Sequence, residues 1–281
     1  MKKLLVFLIS LFLTLSLSSC QKKVDALENF INKYNEKYPV NFIDLDPTWI
    51  SCKSDYILDY INNDKKLIYT KTFNGLVDFE ELSFSGDASA VKLESKLITI
   101  NKNKVEEEKN ITFLLKDKKV YYKIEIIDNL TNNTSVVTMG CEDVDYVYFR
   151  TLFNPIFFFV ANYKKLDQEM FNFYDDHVSF NWHEEDHYNL NHYIKYRNTL
   201  LECYYNENYD FYKIVENENC IHNAAHKDNI LKYNYNSSIT LEFSKNIDFE
   251  VPLTYDKKIE HKDLPYIDFS YPTEFNTNSK I

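Results

Sequence analysis

Residues 111–127 read ITFLLKDKKVYYKIEII, and this stretch decides the fold of the chain. Two runs rich in β-branched and aromatic residues, 111–115 and 120–127, lie on either side of the polar group Asp117-Lys118-Lys119. β-branched and aromatic residues are favoured in strands, and polar residues such as Asp are favoured in turns. The stretch therefore predicts a strand, a turn and a second strand.

Further predicted strands extend this hairpin in both directions. Upstream they cover residues 66–73, 76–84 and 91–100, with Gly75 as the turn between the first two. Downstream, a strand over 134–139 closes the series. Strands that follow one another at intervals of roughly ten to fifteen residues are typical of an antiparallel meander.

A second series of strands follows residue 172. Its members, in chain order, are strands over 177–182 and 188–196, a hairpin of 199–205 with 209–215, a loop or short helix over 221–228, and a hairpin of 230–235 with 239–243 around Asn236-Ser237. These strands are predicted from the alternation of apolar and polar residues along each segment.

Apolar residues at spacings of three and four predict helices elsewhere. An amphipathic helix is expected over 24–38, a second short helix over 54–62, and an apolar helical insert over 143–172. The predicted fold class is thus α+β, with helices packed on one face of a large curved antiparallel sheet. A single domain would cover 21–281 and taper into a polar tail over residues 270–281.

The first residues have the features of a bacterial export signal. Lys2 and Lys3 precede an apolar run over 4–15, which is too short to span a bilayer. The run leads to Leu17-Ser18-Ser19-Cys20, which resembles the lipobox of bacterial lipoproteins. The resemblance implies that the Cys20 sulfur receives a diacylglyceryl group with acyl chains such as palmitate, and that a peptidase removes the residues before it.

The resemblance places the chain on the extracytoplasmic face of the cell membrane, where the lipid at Cys20 holds it. Several acyl chains at about 0.8 kcal/mol per buried CH₂ give nearly permanent anchoring. The alternative is an ordinary cleaved signal over residues 1–20, in which Cys20 is incidental. No later stretch is long and apolar enough to cross a bilayer.

Composition excludes two classes of partner. The formal net charge is −11, and it becomes about −13 once Lys2 and Lys3 are removed with the signal. So acidic a chain is a poor partner for nucleic acid and is repelled by anionic lipid headgroups. Gly75, Gly86 and Gly140 are the only glycines, so no Gly-rich phosphate loop can form and no cofactor is predicted.

Cysteine and histidine leave alternatives open. Four cysteines follow the lipobox, enough for two disulfides, of which Cys203–Cys220 is favoured, or for free buried thiols. His183-Glu184-Glu185-Asp186-His187 fits the bare metalloprotease pattern but is interpreted as a solvated turn. His222 and His226, beside Cys220, form a second pair at this spacing. No metal site and no catalytic residue is predicted, and a zinc hydrolase is a remote alternative.

The apolar run 153–160 is either core packing or the wall of an apolar cavity between sheet and helices. In the second interpretation, lipid-binding residues would be Phe153, Ile156, Phe157, Phe159 and Val160. Residues 237–255 resemble the closing strand of LolA/LppX-like lipoproteins, which implies a curved half-barrel sheet that encloses such a cavity. The leading hypothesis is therefore an apolar or lipid ligand. The alternative is a surface module, without catalysis, whose exposed Tyr and Trp contact glycans or proteins.

Overall fold

The computed structural model describes residues 28, 32, 47–61, 64–79, 85–150, 171–189, 192–208, 211–226, 229–243, 246–264 and 267–269. They form one 14-stranded sheet. The strands are β1 Thr48–Tyr60, β2 Lys65–Phe79, β3 Ser85–Asn101, β4 Lys104–Lys116, β5 Lys119–Asp128, β6 Asn133–Glu142, β7 Val147–Arg150, β8 Phe171–Phe173, β9 His177–Asn189, β10 His192–Tyr205, β11 Phe211–His226, β12 Asn229–Phe243, β13 Lys257–Lys258 and β14 Ile267–Asp268.

Two meanders share this sheet. Its strand order is β13-β6-β5-β4-β3-β2-β1-β12-β11-β10-β9-β8, and β7 adds to β3 and β14 to β7. The chain runs outward from β1 to β6, crosses to the other edge, and returns from β8 to β12. The β1–β12 ladder joins the meanders, from Ile50 opposite Phe243 to Tyr60 opposite Tyr233. Ladders are antiparallel except for β13–β6 and β14–β7.

The two faces of the sheet differ in burial because side chains alternate along each strand. In β1, Cys52, Ser54 and Tyr56 are buried, whereas Lys53 and Asp55 point to the opposite face. We call the face that carries Cys52, Ser54 and Tyr56 the core face, and the face that carries Lys53 and Asp55 the solvent face. The registers align one continuous row of buried or partly buried side chains on the core face: Val178, Cys203, Ile214, Leu241, Cys52, Phe73, Leu93, Phe113, Tyr122 and Met139.

Short segments from the second half of the chain cover this row. Phe149 of β7 stacks on Phe73 with ring centroids 4.6 Å apart, and Phe269 meets Phe73 edge-on at 5.7 Å. The hydroxyl of Tyr56 donates a hydrogen bond to the carbonyl of Phe269 at 2.9 Å. The C-terminal part of the described chain is therefore held on the core face by ring packing and by a buried hydrogen bond.

The turns of the first meander follow from local geometry. Asp117 and Lys118 have φ of 52° and 59°, and Lys102 and Asn103 have φ of 47° and 62°. Positive φ at both central residues is the mark of the type I′ turn, whose twist matches the flanking strands. The turn predicted at Asp117-Lys118-Lys119 is confirmed, with Lys119 opening β5.

The prediction of an α+β fold, a LolA/LppX-like half-barrel with helices packed on one face of the sheet, is wrong. The described residues form an almost entirely β structure, and no helix among them packs on a face of the sheet. Residues 54–62, predicted as a helix, lie mainly in β1, which has partners on both sides. Cross-strand packing decides the conformation there, not local periodicity. Of the insert predicted over 143–172, the described ends contain β7 and the start of β8 instead.

Three predicted breaks in the strands are also wrong. Gly75 lies inside β2, where a Cβ would come within 2.4 Å of the Phe73 ring and 2.8 Å of the Ala90 carbonyl. It is thus required for close packing and not for a turn. Residues 221–226 continue β11, and Asn236-Ser237 lies within β12, because long partner strands hold both segments extended.

Several predictions fall outside the described residues. These are the signal over 1–20 with Cys20, the tail over 270–281, and the helix over 24–38 except for Glu28 and Asn32. No helix in the described part of the chain has the length and apolar character needed to cross a membrane.

Replacement of Phe73 by alanine should destabilise the fold by about 3–5 kcal/mol, because the fully buried ring contacts both Phe149 and Phe269. Urea unfolding followed by circular dichroism measures the change. The neighbouring Thr72→Ala on the solvent face is the control and should shift the free energy of unfolding by about 0.5 kcal/mol or less. Equal effects of the two substitutions would contradict the assignment of the faces.

Candidate functional site

Four aromatic side chains form a ladder across one end of the second meander. The ring of His177 stacks on Tyr174 at 4.2 Å with an interplanar angle of 9°, and on Tyr204 at 4.8 Å and 24°. Tyr212 continues the series at 6.2 Å from Tyr204. We call Tyr174, His177, Tyr204 and Tyr212 the aromatic ladder. Its rings come from β9, β10, β11 and the turn after β8.

Hydrogen bonds to backbone carbonyl groups fix the aromatic ladder in place. The amide of Tyr174 donates to the carbonyl of His177 at 2.9 Å, which closes the tight turn between β8 and β9. The amide of Tyr205 donates to the Asp176 carbonyl at 2.9 Å, and its hydroxyl donates to the Tyr174 carbonyl at 3.1 Å. The turn is therefore tied to β10, and the rings are held at set spacings before any ligand arrives.

Carboxylates flank the rings. The Nδ1 of His177 lies 2.7 Å from Asp176 Oδ1, and its Nε2 lies 4.0 Å from Glu202. A carboxylate only accepts, so Nδ1 carries the proton of that hydrogen bond. The bond lowers the pKa of Asp176. Burial, followed by the charge of Glu202, raises the pKa of Tyr204, so its phenol stays protonated at neutral pH.

The outer rings of the ladder carry its accessible surface. Tyr174 is 51% exposed and Tyr212 is 44% exposed, whereas the imidazole of His177 is largely enclosed between its neighbours. Exposed tyrosines present an apolar ring and a polar hydroxyl together. With carboxylate acceptors beside them, such rings suit ligands that have an apolar face bordered by hydroxyl or amine donors.

None of the four ladder residues is identified by the sequence. The prediction that exposed tyrosines contact a ligand named no positions, because the chain contains 23 Tyr and gives no sign of which are exposed. The four residues of the aromatic ladder come from the neighbouring strands β9, β10 and β11 and from the turn after β8. They become neighbours only through the register in which these strands pair. In that register Tyr204 lies opposite His177 on β9 and opposite Lys213 on β11, which brings the rings of the aromatic ladder together.

The core face of the sheet also carries several polar and charged side chains. We use the name buried polar cluster for the buried Ser54, Lys71 and Glu216 together with the partly buried Arg197 and Glu218. The Nε of Arg197 lies 3.0 Å from Glu218, and its Nη1 lies 3.3 Å from Glu184 on the neighbouring strand. Ser54 and Lys71 are directly opposite each other in the β1–β2 ladder, and both are buried.

Glu216 is the most perturbed acid of this cluster. Burial, followed by the charge of Glu218, raises its pKa from 4.5 to about 7, although Arg197 opposes the shift. Its carboxyl is therefore partly protonated at neutral pH. Arg197 is shared by Glu184 and Glu218, and a neutral Glu216 avoids a further negative charge beside them.

The histidine motif lies in a strand and not in a turn. Residues 183–187 are all part of β9, which runs on to Asn189. Four residues along a strand separate His183 from His187 by about 13 Å, and the same holds for His222 and His226 in β11. In the described residues no group of three His, Cys, Asp or Glu side chains is arranged to hold a metal ion.

The four described cysteines that follow the lipobox are not joined in disulfides. Cys52, Cys141, Cys203 and Cys220 are all buried thiols. Cys203 lies opposite Ile214, whereas Cys220 lies opposite Arg197. Six residues along β11 separate those positions by about 20 Å. The Cys203–Cys220 disulfide favoured by the sequence is therefore wrong, since a disulfide needs Cα atoms within about 7 Å. Burial raises the pKa of the Cys52 and Cys203 thiols, which keeps them protonated.

Two groups of predicted site residues cannot be placed. The lipid attachment residue Cys20 lies outside the described part of the chain. The same holds for the residues predicted to bind lipid, namely Phe153, Ile156, Phe157, Phe159 and Val160.

No family model matches the chain, and no curated protein matches it either. Among solved structures, the chain is similar to a porin-like protein from Bacteroides uniformis ATCC 8492, with 10% sequence identity and a TM-score of 0.20. The likeness covers 70% of this chain and 98% of that chain. A TM-score this low does not establish a common fold, so nothing about this chain follows from that protein's name.

Glu216→Gln should stabilise the protein at pH 8 and have little effect near pH 4.5. The folded-state pKa of about 7 lies above the ordinary 4.5, so the folded state binds the proton more tightly. The stability that this carboxyl contributes is complete below pH 4.5 and is lost as the pH rises to 7. Between pH 4.5 and pH 8 the free energy of unfolding of the wild type should fall by about 3 kcal/mol on this account, whereas glutamine does not ionise and causes no such fall.

Urea midpoints of the wild type and of Glu216→Gln, measured between pH 4.5 and 8, test this pH dependence. Thr72→Ala, which removes no titratable group, serves as the control, and its difference from the wild type should not vary with pH. A constant difference between wild type and Glu216→Gln over this range would contradict the raised pKa.

Proposed function

We propose that this chain is a lipid-anchored protein of the extracytoplasmic face of a bacterial membrane, and that it binds glycans there without catalysis. The anchor is supported by Leu17-Ser18-Ser19-Cys20 after a short apolar run. The net charge of −11 gives no electrostatic hold on anionic lipid, which makes a covalent anchor necessary for stable membrane attachment.

The aromatic ladder is the observation that carries the glycan proposal. Sugar rings have an apolar face of C–H groups, and exposed aromatic rings such as Tyr174 and Tyr212 are suited to stack against it. The carboxylates of Asp176 and Glu202 lie next to the rings and can accept hydrogen bonds from the hydroxyl groups of a bound sugar.

The charge around the ladder defines the ligand class. Asp176 and Glu202 border the rings, and the Lys213 ammonium, 5.7 Å from the centre of the Tyr204 ring, is paired with Glu242 at 3.6 Å, so the acids outnumber this cation. Anionic polymers would meet negative charge there and bind poorly. The favoured ligands are therefore neutral glycans and glycans that contain amino sugars.

An apolar or lipid ligand on the core face is a second candidate. Ser54 Oγ is fully buried and has no hydrogen-bond partner in the part of the chain that the structure describes. It lies beside Lys71 and next to the apolar row that contains Phe73. A buried polar atom usually has a partner, so a ligand with a polar head and an apolar tail would satisfy this arrangement.

Cys20→Ala should abolish lipid attachment. Full-length chain is expressed in a low-G+C bacterium fed an alkyne analogue of palmitate, and labelling and membrane association are measured. The wild type and a Cys141→Ala control should be labelled and sediment with the membrane, whereas Cys20→Ala should carry no label. Label that persists in Cys20→Ala would contradict the anchor.

Tyr174→Ala and Tyr212→Ala should each weaken binding to a neutral glucan or to N-acetylglucosamine oligomers by about 2- to 10-fold, since one stacked ring contributes about 0.5–1.5 kcal/mol. Isothermal titration calorimetry measures the affinity. Tyr146→Ala, at a tyrosine that is 48% exposed but outside the ladder, is the control and should bind as the wild type does.

The same protein samples separate the two candidate ligands. Native mass spectrometry that shows co-purified lipid in the wild type and in both ladder variants, without any glycan affinity, would favour the core-face ligand. Equal glycan affinities of Tyr146→Ala and the ladder variants would exclude the ladder as the contact surface.

A further inference from the structure

The edge of the sheet at β6 is only partly covered. Among the described residues, β13 pairs with β6 at Met139 and Gly140 alone. Just beyond it, Asp256 binds Thr138, accepting a hydrogen bond from the Thr138 amide at 3.2 Å and donating one to its carbonyl at 3.1 Å. Residues 133–137 extend past this cover and are all exposed.

The direction of the free backbone groups follows from the covered part. The N–H and C=O of Thr138, and the C=O of Gly140, point away from β5 toward β13 and Asp256. In an antiparallel strand this direction alternates with each residue. Thr134 and Val136 therefore also direct their N–H and C=O groups outward, where no described strand pairs with them.

The open part of β6 also lacks the usual protection of an edge strand. Residues 133–138 read NTSVVT and contain no charged residue and no proline. Val136 is 47% exposed and Val137 is 42% exposed, and they point to opposite faces of the sheet. A strand added at this edge would satisfy the backbone groups and shield valine on both faces.

We propose that the open part of β6 pairs with β6 of a second copy of this chain, antiparallel and about a two-fold axis at Ser135. Thr134 then lies opposite Val136 of the second copy, and Val136 opposite its Thr134. Both are hydrogen-bonded pairs, because these residues carry the outward groups. Ser135 faces its own equivalent as a non-hydrogen-bonded pair.

Three observations favour a second copy as the occupant. Asp256 already hydrogen-bonds the N–H and C=O of Thr138. The register centred on Ser135 therefore uses the outward backbone groups of Thr134 and Val136 and leaves those of Thr138 with Asp256. Its pairs join small and β-branched side chains and place no charge opposite a charge, which matters in a chain of net charge −11. The pairing uses both edges at once and closes as a dimer.

Disulfide cross-linking tests the register. The full chain carrying Ser135→Cys is expressed in cells and oxidised with diamide, and dimers are counted on a non-reducing gel. The two thiols would face each other across closely spaced Cα atoms, so Ser135→Cys should give at least about tenfold more dimer than Thr134→Cys. Ser238→Cys, in β12 with partners on both sides, and the wild type are controls that should give none.

Charge substitution provides a test that does not depend on oxidation. Ser135→Lys and Ser135→Glu each place like charges opposite one another and should weaken dimerisation about tenfold or more in sedimentation velocity, while an equimolar mixture should restore it. Circular dichroism checks that each variant is folded. A wild type that stays monomeric, or a mixture that stays dissociated, would overturn the proposal, as would equal cross-linking at Thr134 and Ser135.

Discussion

The β1–β12 ladder is the interaction on which the rest of the structure depends. It pairs Ile50 with Phe243 and Tyr60 with Tyr233, residues that are far apart in the chain, and among the described residues it is the only long ladder between the two meanders. Every other long ladder joins consecutive strands and closes only a short loop. The conformational cost of bringing distant segments together is therefore concentrated in this one pairing. Once it is set, each strand of both meanders has a fixed register, and the row of core-face side chains becomes continuous.

This continuous register also separates the chemistry of the two faces. On the core face, apolar side chains at one end give way to the buried polar cluster, where Arg197 is held between Glu184 and Glu218. On the solvent face, the aromatic ladder forms where β8, β9, β10 and β11 end together. The two groups are close in sequence, since both draw on β9 to β11, but alternation sends their side chains to opposite faces. A ligand on one face would thus meet rings and carboxylates, and a ligand on the other would meet apolar rows and a buried serine.

Local patterns predicted the parts of the fold that local energetics control. The turn at Asp117-Lys118 and the β10–β11 hairpin were predictable, because turn residues and strand-forming residues act over a few positions. The helix expected over 54–62 failed, since β1 is held extended by partners on both sides. The turn expected over 183–187 is part of β9 for the same reason, and in a strand a spacing of four places His183 and His187 far apart. The aromatic ladder could not be predicted, because His177 and Tyr204 are brought together only by the register of β9 and β10.

By itself, the sequence determined the acidic charge, the absence of Gly-rich phosphate loops, the lipobox-like segment that ends at Cys20, and an antiparallel meander around residues 111–127. These depend on composition or on contacts between near neighbours. Only the tertiary structure decided that the described residues form one sheet, that Cys203 and Cys220 are separate thiols, and that Tyr174, His177, Tyr204 and Tyr212 share a surface. Each of those facts depends on which strands are neighbours and in which register, and a single pairing between distant segments, β1 with β12, sets the arrangement of the two halves.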